Sequence, residues 1–528
     1  MIRCEKLSVT IGDDAILHEV SVDIAPGKVT GLVGESGSGK SMTALAIMGL
    51  LPRGGTATGR VMLGDEDLLT IPEKRLCDIR GNRIGMIFQE PMTALNPVKT
   101  IGDQVAETLF VHGKATRADA RRIAAEKLER VGLPPERFPL SRFPHELSGG
   151  QRQRVAIAMA IALSPELLIA DEPTTALDVT TQAQILDLLK RLVAEEGMSL
   201  LLITHDLAVV AGMADHVAVM KDGEIVEAGA TEPLFRRMEH PYTKRLFAAS
   251  SHAPERTPLP GGEPILTARN VVRSYPGERR GLFGRADPVR AVDGVSFTLA
   301  RGESLGLVGE SGCGKSTLTR ALLGLDAVQA GEITAFGNRV SPDIPNAMRA
   351  GIQVVFQDPY GSFNPRWRVE RLVAEPFHLM ADPPTDRRAR VAEVLKDVGI
   401  DPAGMDRYIH EFSGGQRQRI AIARALITKP DLIVLDEAVS ALDVSIRAQI
   451  LDLIAKLQAE HGLSYIFISH DLSVVRAVTD RVMVMQAGRI VETGETQAVF
   501  DAPEHPYTRQ LLAATPTIPE DWQETHDA

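Results

Sequence analysis

The sequence predicts an α/β fold built twice, as two domains that are each a mostly parallel sheet flanked by helices. Three observations predict it. The chain repeats itself: SGGQRQR begins at Ser148 and again at Ser413, Glu172 and His205 return as Glu437 and His470, and HPYT returns from His240 to His505, each 265 residues on. Apolar runs of strand length alternate with helical periodicity, as in SLLLIT followed by HDLAVVAGMAD. A chain of 528 residues exceeds one ordinary core, and each repeat is long enough to enclose its own.

The layout follows from the spacing: a first domain over 1–250, a linker over 251–263 and a second domain over 264–528. The linker SHAPERTPLPGGE is rich in Pro and Gly, which reads as short and fairly stiff. The offset between copies is not constant. Ile11 aligns with Tyr275, but Lys40 aligns with Lys315, so the second copy carries about eleven extra residues around GERRGLFGRADPVR. Its Gly, Arg and Pro content reads as an exposed loop.

Composition narrows the class. Hydrophobic residues at 44% and charged residues at 24% are those of a globular chain rather than a disordered one. A formal charge of -11 disfavours nucleic acid as the main partner. The three cysteines, Cys4, Cys77 and Cys313, form no CxxC pair and no metal-ligand spacing, which suits a reducing compartment. No run approaches eighteen apolar residues, and MIRCEKLSVTIGDD lacks the apolar centre of a signal peptide, so the expectation is a cytoplasmic chain whose membrane contact is peripheral.

Within each copy the first element with chemistry is a glycine-rich loop between a short strand (28–33 in the first copy) and a helix (41–50). Gly34, Glu35, Ser36, Gly37, Ser38, Gly39, Lys40 and Ser41 match G-x-x-x-x-G-K-[ST], as do Gly309, Glu310, Ser311, Gly312, Cys313, Gly314, Lys315 and Ser316, with Thr317 following. Glycines let the backbone wrap phosphate with its N–H groups inward, and the helix N-terminus adds positive potential. Lys40 and Lys315 are expected on the outer phosphates of ATP, and Ser41 and Ser316 on Mg²⁺. One such match could be a chance glycine-rich turn; two in register could not.

Next come LLIADE and LIVLDE, apolar strands that each end in two acids. Asp171 and Asp436 are expected to organise Mg²⁺ and its waters, and Glu172 and Glu437 to orient or deprotonate the attacking water. An acid pair is often only a solvated strand end, but downstream of two phosphate loops that reading loses weight.

Shortly before each acid pair stands LSGGQRQR or FSGGQRQR. Ser148 and Gln151, like Ser413 and Gln416, spell a helix capping box. A capping box needs neither consecutive glycine, yet Gly149-Gly150 and Gly414-Gly415 occur in both copies, and a Ser-Gly-Gly helix start is a ready anion site.

With these motifs assembled, the chain resembles ABC-transporter ATPases over nearly its whole length. On that resemblance Gln89 in FQEP and Gln357 in FQDP match the Q-loop glutamine, which places them near Mg²⁺. Ala176-Leu177-Asp178 and Ala441-Leu442-Asp443 match the D-loop, and His205 and His470 match the switch histidine. The resemblance implies two P-loop NTPase domains, each with a helical subdomain, in a head-to-tail sandwich. One ATP would lie between the first loop and Ser413-Gly414-Gly415, the other between the second loop and Ser148-Gly149-Gly150. Fusion then raises the effective concentration of the partner domain.

The resemblance also implies an aromatic residue stacked on adenine. Tyr275 fits in the second copy, while Ile11 occupies the first, so the first site is expected to hold adenine more weakly. DEPTTALD becomes DEAVSALD in the second copy; Glu437 is retained, so both sites are expected to hydrolyse ATP.

Within the family, the HPYT segments, the turns Leu95-Asn96-Pro97 and Phe363-Asn364-Pro365, and GLFGR resemble the ATPases of peptide and nickel importers. Length and fusion are most similar to the single-chain subunit of Yej-type peptide and microcin C uptake systems. That implies two integral-membrane permeases, an extracytoplasmic solute-binding protein reached through them, and a place on the cytoplasmic side of the inner membrane. No cysteine follows Cys313, so no iron–sulfur cluster is expected. The alternative, a soluble tandem ATPase acting in translation or DNA repair, shares every ATP motif. It is disfavoured by the missing long charged linker, the acidic total and too few cysteines for zinc modules.

Overall fold

The computed structural model describes residues 2–89, 94–175, 177–256, 262–277, 288–358, 361–440 and 442–523. Two units emerge, 1–250 with 516–528, and 251–515.

The apolar runs become the inner strands of a six-stranded sheet. In the first unit its order is Glu224–Ala230, His216–Lys221, Val29–Val33, Ser199–Thr204, Leu167–Asp171, Ile84–Ile87. All neighbours pair in parallel except Glu224–Ala230, which runs antiparallel at one edge. Val29–Val33, Leu167–Asp171 and Ser199–Thr204 are buried along their entire lengths, as expected for strands covered on both faces. Their ends are level: Val33 faces Thr204, and Asp171 faces Ile203. The phosphate loop, the acid pair and His205 all leave the sheet at this carboxyl edge, where open parallel sheets bind ligands.

A second, antiparallel sheet was not legible in the alternation of strand and helix. Asp14–Ile24, Ile2–Ile11, Gly55–Leu63 and Glu66–Asp67 form it in that order. Its buried residues Leu7, Val9, Val20 and Val61 join Ile47, Leu167 and Ile203 in one core.

A helical region shares a second core with the six-stranded sheet, in which Ile101, Val105, Leu128 and Val155 join Leu168 and Leu200. Its helices start on caps: Thr100 accepts from the Asp103 amide, Thr116 from the Asp119 amide and Ser148 from the Gln151 amide.

The second unit repeats the plan. Its six-stranded order is Ile352–Val355, Leu432–Asp436, Ser464–Ile468, Ser304–Val308, Arg481–Gln486, Arg489–Glu495, and its antiparallel sheet is Val289–Ala300, Pro264–Tyr275, Ala330–Ala335, Asn338–Arg339. The helical regions differ in one place. The helix Ile101–Val111 is continuous, whereas in the second copy Pro376 follows Val369–Val373 and the chain tightens into a 3₁₀ turn over Glu375–Leu379.

Three expectations change. The helix after the first phosphate loop is Lys40–Ile47, not 41–50, because Gly39 at φ 104° already serves as its cap. The first half of the linker is packed rather than only spanning: His252 Nε2 lies 2.7 Å from Asp452 Oδ1, and Arg256 pairs with Asp480 at 2.9 Å, which groups this stretch with the second unit. The end of the second copy groups with the first unit instead, because Trp522 packs against Phe235 at 6.1 Å between ring centroids and Arg236 pairs with Asp521. Most of the linker's Pro-Gly half and of the GLFGR insertion lies outside the described residues, as do Ala176 and Ala441.

Candidate functional site

The first phosphate loop is shaped by contacts that only glycine permits. Gly34 has φ 155°, and a Cβ there would lie 2.2 Å from the carbonyl oxygen of Met220; Gly309 repeats this against Met485. Lys40, buried, donates from Nζ to the carbonyl oxygens of Gly34 at 2.8 Å and Glu35 at 2.9 Å. Lys315 does the same to Gly309 at 2.6 Å and Glu310 at 2.9 Å. The ammonium of each lysine is thus curled over its own loop.

Ser41, in the first turn of the following helix, donates from Oγ to Asp171 Oδ1 at 3.1 Å. A hydroxyl beside a carboxylate at the mouth of a phosphate loop is the hard-oxygen set that Mg²⁺ takes when substrate phosphates and water complete its shell. Burial pushes the Asp171 carboxyl above its usual range, and the neighbouring Glu172 adds to that. A cation would relieve both effects.

Glu172 adopts a left-handed backbone, φ 46°, one residue past the end of its strand. Its Oε1 lies 3.2 Å from His205 Nδ1, and its Oε2 accepts from Thr175 Oγ1 at 2.8 Å and Gln89 Nε2 at 3.1 Å. Burial works to raise its pKa, but contacts with His205 and Thr175 overcome it and bring the carboxyl down to about 2. The group is a fixed carboxylate at working pH.

The second copy is looser. Glu437, at φ 51°, has Oε1 3.5 Å from His470 Nδ1. The hydrogen bond from His470 lowers its carboxyl against the opposing effect of burial. Asp436 is raised by burial, then by Glu437. Gln357 Nε2 donates to Ser440 Oγ at 3.5 Å rather than to the Glu437 carboxylate, and Ser440 Oγ turns to the backbone carbonyl of Glu437 at 2.9 Å. Ser316, Gln357, Asp436 and Glu437 line one cavity of about 740 Å³ together with Phe356, Glu375 and Arg424. The structure therefore brings the expected loop, acid, Q-loop and histidine residues together within each copy.

Ser148 and Ser413 form the capping boxes read from the sequence. Each hydroxyl accepts from the glutamine amide three residues on (3.3 and 3.4 Å), and each glutamine Oε1 accepts from the serine amide at 3.0 Å. Gly149-Gly150 and Gly414-Gly415 form the first turns of these helices. Asp178 caps the helix Val179–Glu196 by accepting from the Thr181 amide at 3.0 Å. Tyr275 stands at the end of its strand, partly exposed, with Arg273 5.0 Å from the ring centroid; Ile11 ends the corresponding strand.

Two kinds of residue in this site escaped sequence reasoning. Thr175, inside DEPTT, holds the Glu172 carboxylate. Tyr242 and Tyr507, in the HPYT segments, reach the phosphate loops: their hydroxyls accept from the Glu35 amide at 3.1 Å and the Glu310 amide at 2.9 Å. The recurrence of HPYT was the available signal, but its target is distant in sequence.

Two P-loop ATPase domains, each with a phosphate loop, a Ser-Gly-Gly helix start and a histidine-held glutamate, define an ATP-binding cassette protein. The ABC transporter family pattern matches residues 17–175 and 292–440, and the chain belongs to that family of ATPases. The pattern for the oligopeptide/dipeptide transporter C-terminal region matches 226–271 and 491–528. The chain is 49% identical to the peptidoglycan transport ATP-binding protein YejF of Agrobacterium fabrum strain C58, covering 94% of this chain and 92% of the relative. It is 47% identical to the glutathione import ATP-binding protein GsiA of Escherichia coli K12, covering 98% and 89%. Among solved structures, the archaeal ribosome recycling factor aABCE1, in complex with the stalk protein aP1, aligns at TM-score 0.63 over 93% of this chain and 90% of that one; at 24% identity it shows the shared fold alone. Among the described residues no helix is long and apolar enough to cross a membrane.

Proposed function

We propose that this chain couples ATP hydrolysis to the import of small peptide-containing solutes, as the peripheral cytoplasmic subunit beneath two integral-membrane permeases fed by an extracytoplasmic binding protein. The observation that supports this best is the doubled terminal region of the oligopeptide/dipeptide type. The peptidoglycan-transport and glutathione-import relatives point to the same class of cargo.

In this reading Lys40 and Lys315 exchange their loop carbonyls for the outer phosphates of ATP. Ser41 with Asp171, and Ser316 with Asp436, would hold Mg²⁺ near Gln89 and Gln357. The ion supplies charge neutralisation across the phosphates when it enters with the nucleotide. Ser148-Gly149-Gly150 and Ser413-Gly414-Gly415 offer helix N-termini to nucleotide phosphate, and Tyr275 stacks on adenine.

Glu172 and Glu437 orient the attacking water through a carboxylate oxygen. Contacts to His205 and Thr175 fix the orientation of the Glu172 carboxylate, which suits it to positioning water. His205 and Thr175 hold that carboxylate, and Gln89 ties it to the segment after the edge strand Ile84–Ile87.

The test is purification of the tagged chain from gently solubilised membranes. Two permeases and a binding protein with a peptide-type ligand are expected. Ribosomal or DNA-repair partners without a permease would overturn the transport reading while leaving the ATPase standing.

A further inference from the structure

The HPYT segments open the terminal helices Pro241–Ser250 and Pro506–Ala514, and each of their first three residues has a physical task. His240 and His505 accept, through Nδ1, from the amides of Tyr242 and Tyr507 at 3.2 Å, which caps the helix start. Proline takes the first helical position, where its missing N–H costs nothing. The tyrosines then project to the phosphate loops, with their rings buried.

The helix start is itself anchored by a carboxylate on the edge strand. Glu227 accepts from the amides of Glu239 at 2.8 Å and His240 at 3.3 Å; Glu492 accepts from those of Glu504 at 2.8 Å and His505 at 3.1 Å, and from the hydroxyl of Thr508. That edge strand pairs with the strand carrying Met220, or Met485, whose carbonyl confines the first loop glycine. The loop is therefore gripped at its start from two directions: by a main-chain carbonyl against Gly34 or Gly309, and by a tyrosine hydroxyl on the next residue's amide.

We propose that Tyr242 and Tyr507 are positioning residues for ATP binding, each fixing the entry of a phosphate loop through the hydrogen bond from the Glu35 or Glu310 amide to its hydroxyl. The terminal region of each copy is then part of the nucleotide-binding machinery rather than an appendage to it. The geometry arises twice, in copies whose loop-to-tyrosine separations differ by ten residues, so it follows from the fold and not from one local register. The hydroxyl remains protonated at working pH. Burial, foremost, together with the carboxylate of Glu35, pushes Tyr242 up to about 12. It therefore both accepts from the amide and donates to Glu35 Oε2, 3.4 Å away.

The inference rests on the reading that these loops bind ATP, and its test separates the two. In the full chain, Tyr242→Phe and Tyr507→Phe, singly and together, retain the buried ring and remove only the hydroxyl. ATP hydrolysis is measured for KM and kcat, and amide hydrogen exchange is followed without nucleotide over residues 31–44 and 306–319. Loss of one neutral hydrogen bond per loop is expected to raise KM about two- to tenfold, with kcat changed less. Exchange should quicken in the loop whose tyrosine is changed and stay constant elsewhere, with the thermal midpoint held. Unchanged KM and unchanged loop exchange would overturn the proposal, as would faster exchange spread over the whole domain with a lowered midpoint. If the wild-type chain hydrolyses no ATP, the ATPase reading fails, and exchange at the two loops alone still decides whether the hydroxyls hold them.

Discussion

Thr175 Oγ1 donates to Glu172 Oε2 at 2.8 Å, whereas the residue in its place in the second copy, Ser440, donates to a backbone carbonyl. The two acids therefore stand in different hydrogen-bond settings although their motifs differ by only a few residues. Pro173 and Thr174 are replaced by Ala438 and Val439, which are buried, and the following hydroxyl turns away from the carboxylate. Thr175→Ala is expected to lower turnover about ten- to a hundredfold, the scale of a lost hydrogen bond to a charged group. Ser440→Ala should cost less. Phosphate release under saturating ATP measures both, and equal effects would contradict the assignment of Thr175 to the carboxylate.

Removing the acids themselves is the sharper test of chemistry. Glu172→Gln and Glu437→Gln keep the shape and the contact to histidine while removing the charge that is proposed to orient water. Each is expected to lower hydrolysis at its site by about a hundredfold or more, with ATP still bound. Normal turnover in the variant of either copy would show that its acid is not used. Lys40→Ala and Lys315→Ala should behave oppositely, losing nucleotide affinity first.

The contrast between these residues marks what a sequence can carry. The phosphate loops, acid pairs and capping boxes were legible because each is a contiguous string whose chemistry depends on its own backbone. Ser148 accepts from Gln151 three residues away, as the string implies. Thr175 was not legible because rotamer choice, which the string does not encode, decides which hydroxyl of DEPTT meets the acid. Tyr242 lies more than two hundred residues from Glu35, so its contact exists only once the edge strand and terminal helix have folded back on the loop. The antiparallel sheet was hidden for a similar reason. Ile2–Ile11 pairs with Gly55–Leu63 across the whole phosphate-loop unit, and local alternation holds no record of that pairing.

Adenine recognition should differ between the copies. Tyr275 presents a partly exposed ring flanked by Arg273, and its hydroxyl donates to Asp326 Oδ2 at 3.4 Å, which steadies the ring. Ile11 offers no π-face. Stacking of a base on an aromatic ring is worth roughly 1–3 kcal/mol. Tyr275→Ala is expected to weaken ATP binding at the second site about tenfold or more, and Ile11→Ala should have little effect at the first. Fluorescent-nucleotide titration of chains with one loop disabled by Lys40→Ala or Lys315→Ala reads each site separately. Equal affinities in the two would remove the basis for unequal adenine binding.

The C-terminal segment offers a stability test confined to the first unit. Residues 516–523 follow the second copy in sequence yet pack with the first unit, where Trp522 is only 9% exposed. Its ring meets Phe235 and lies 6.0 Å beneath the Arg236 guanidinium, whose Nη1 donates to the Asp521 carbonyl at 2.7 Å. The Arg236–Asp521 ion pair is solvent-exposed and contributes little by itself, so the apolar contact should dominate. Trp522→Ala removes most of that buried ring, at a cost of about 2 kcal/mol. For a unit of this size that corresponds to a fall of about 4–8 °C in its thermal midpoint. Asp521→Ala should change the midpoint by about 1–2 °C at most. Calorimetry of the full chain should show the transition of the first unit moving in Trp522→Ala while that of the second stays. If the second transition moves instead, the segment stabilises its own copy, and the packing against Phe235 is not what holds it.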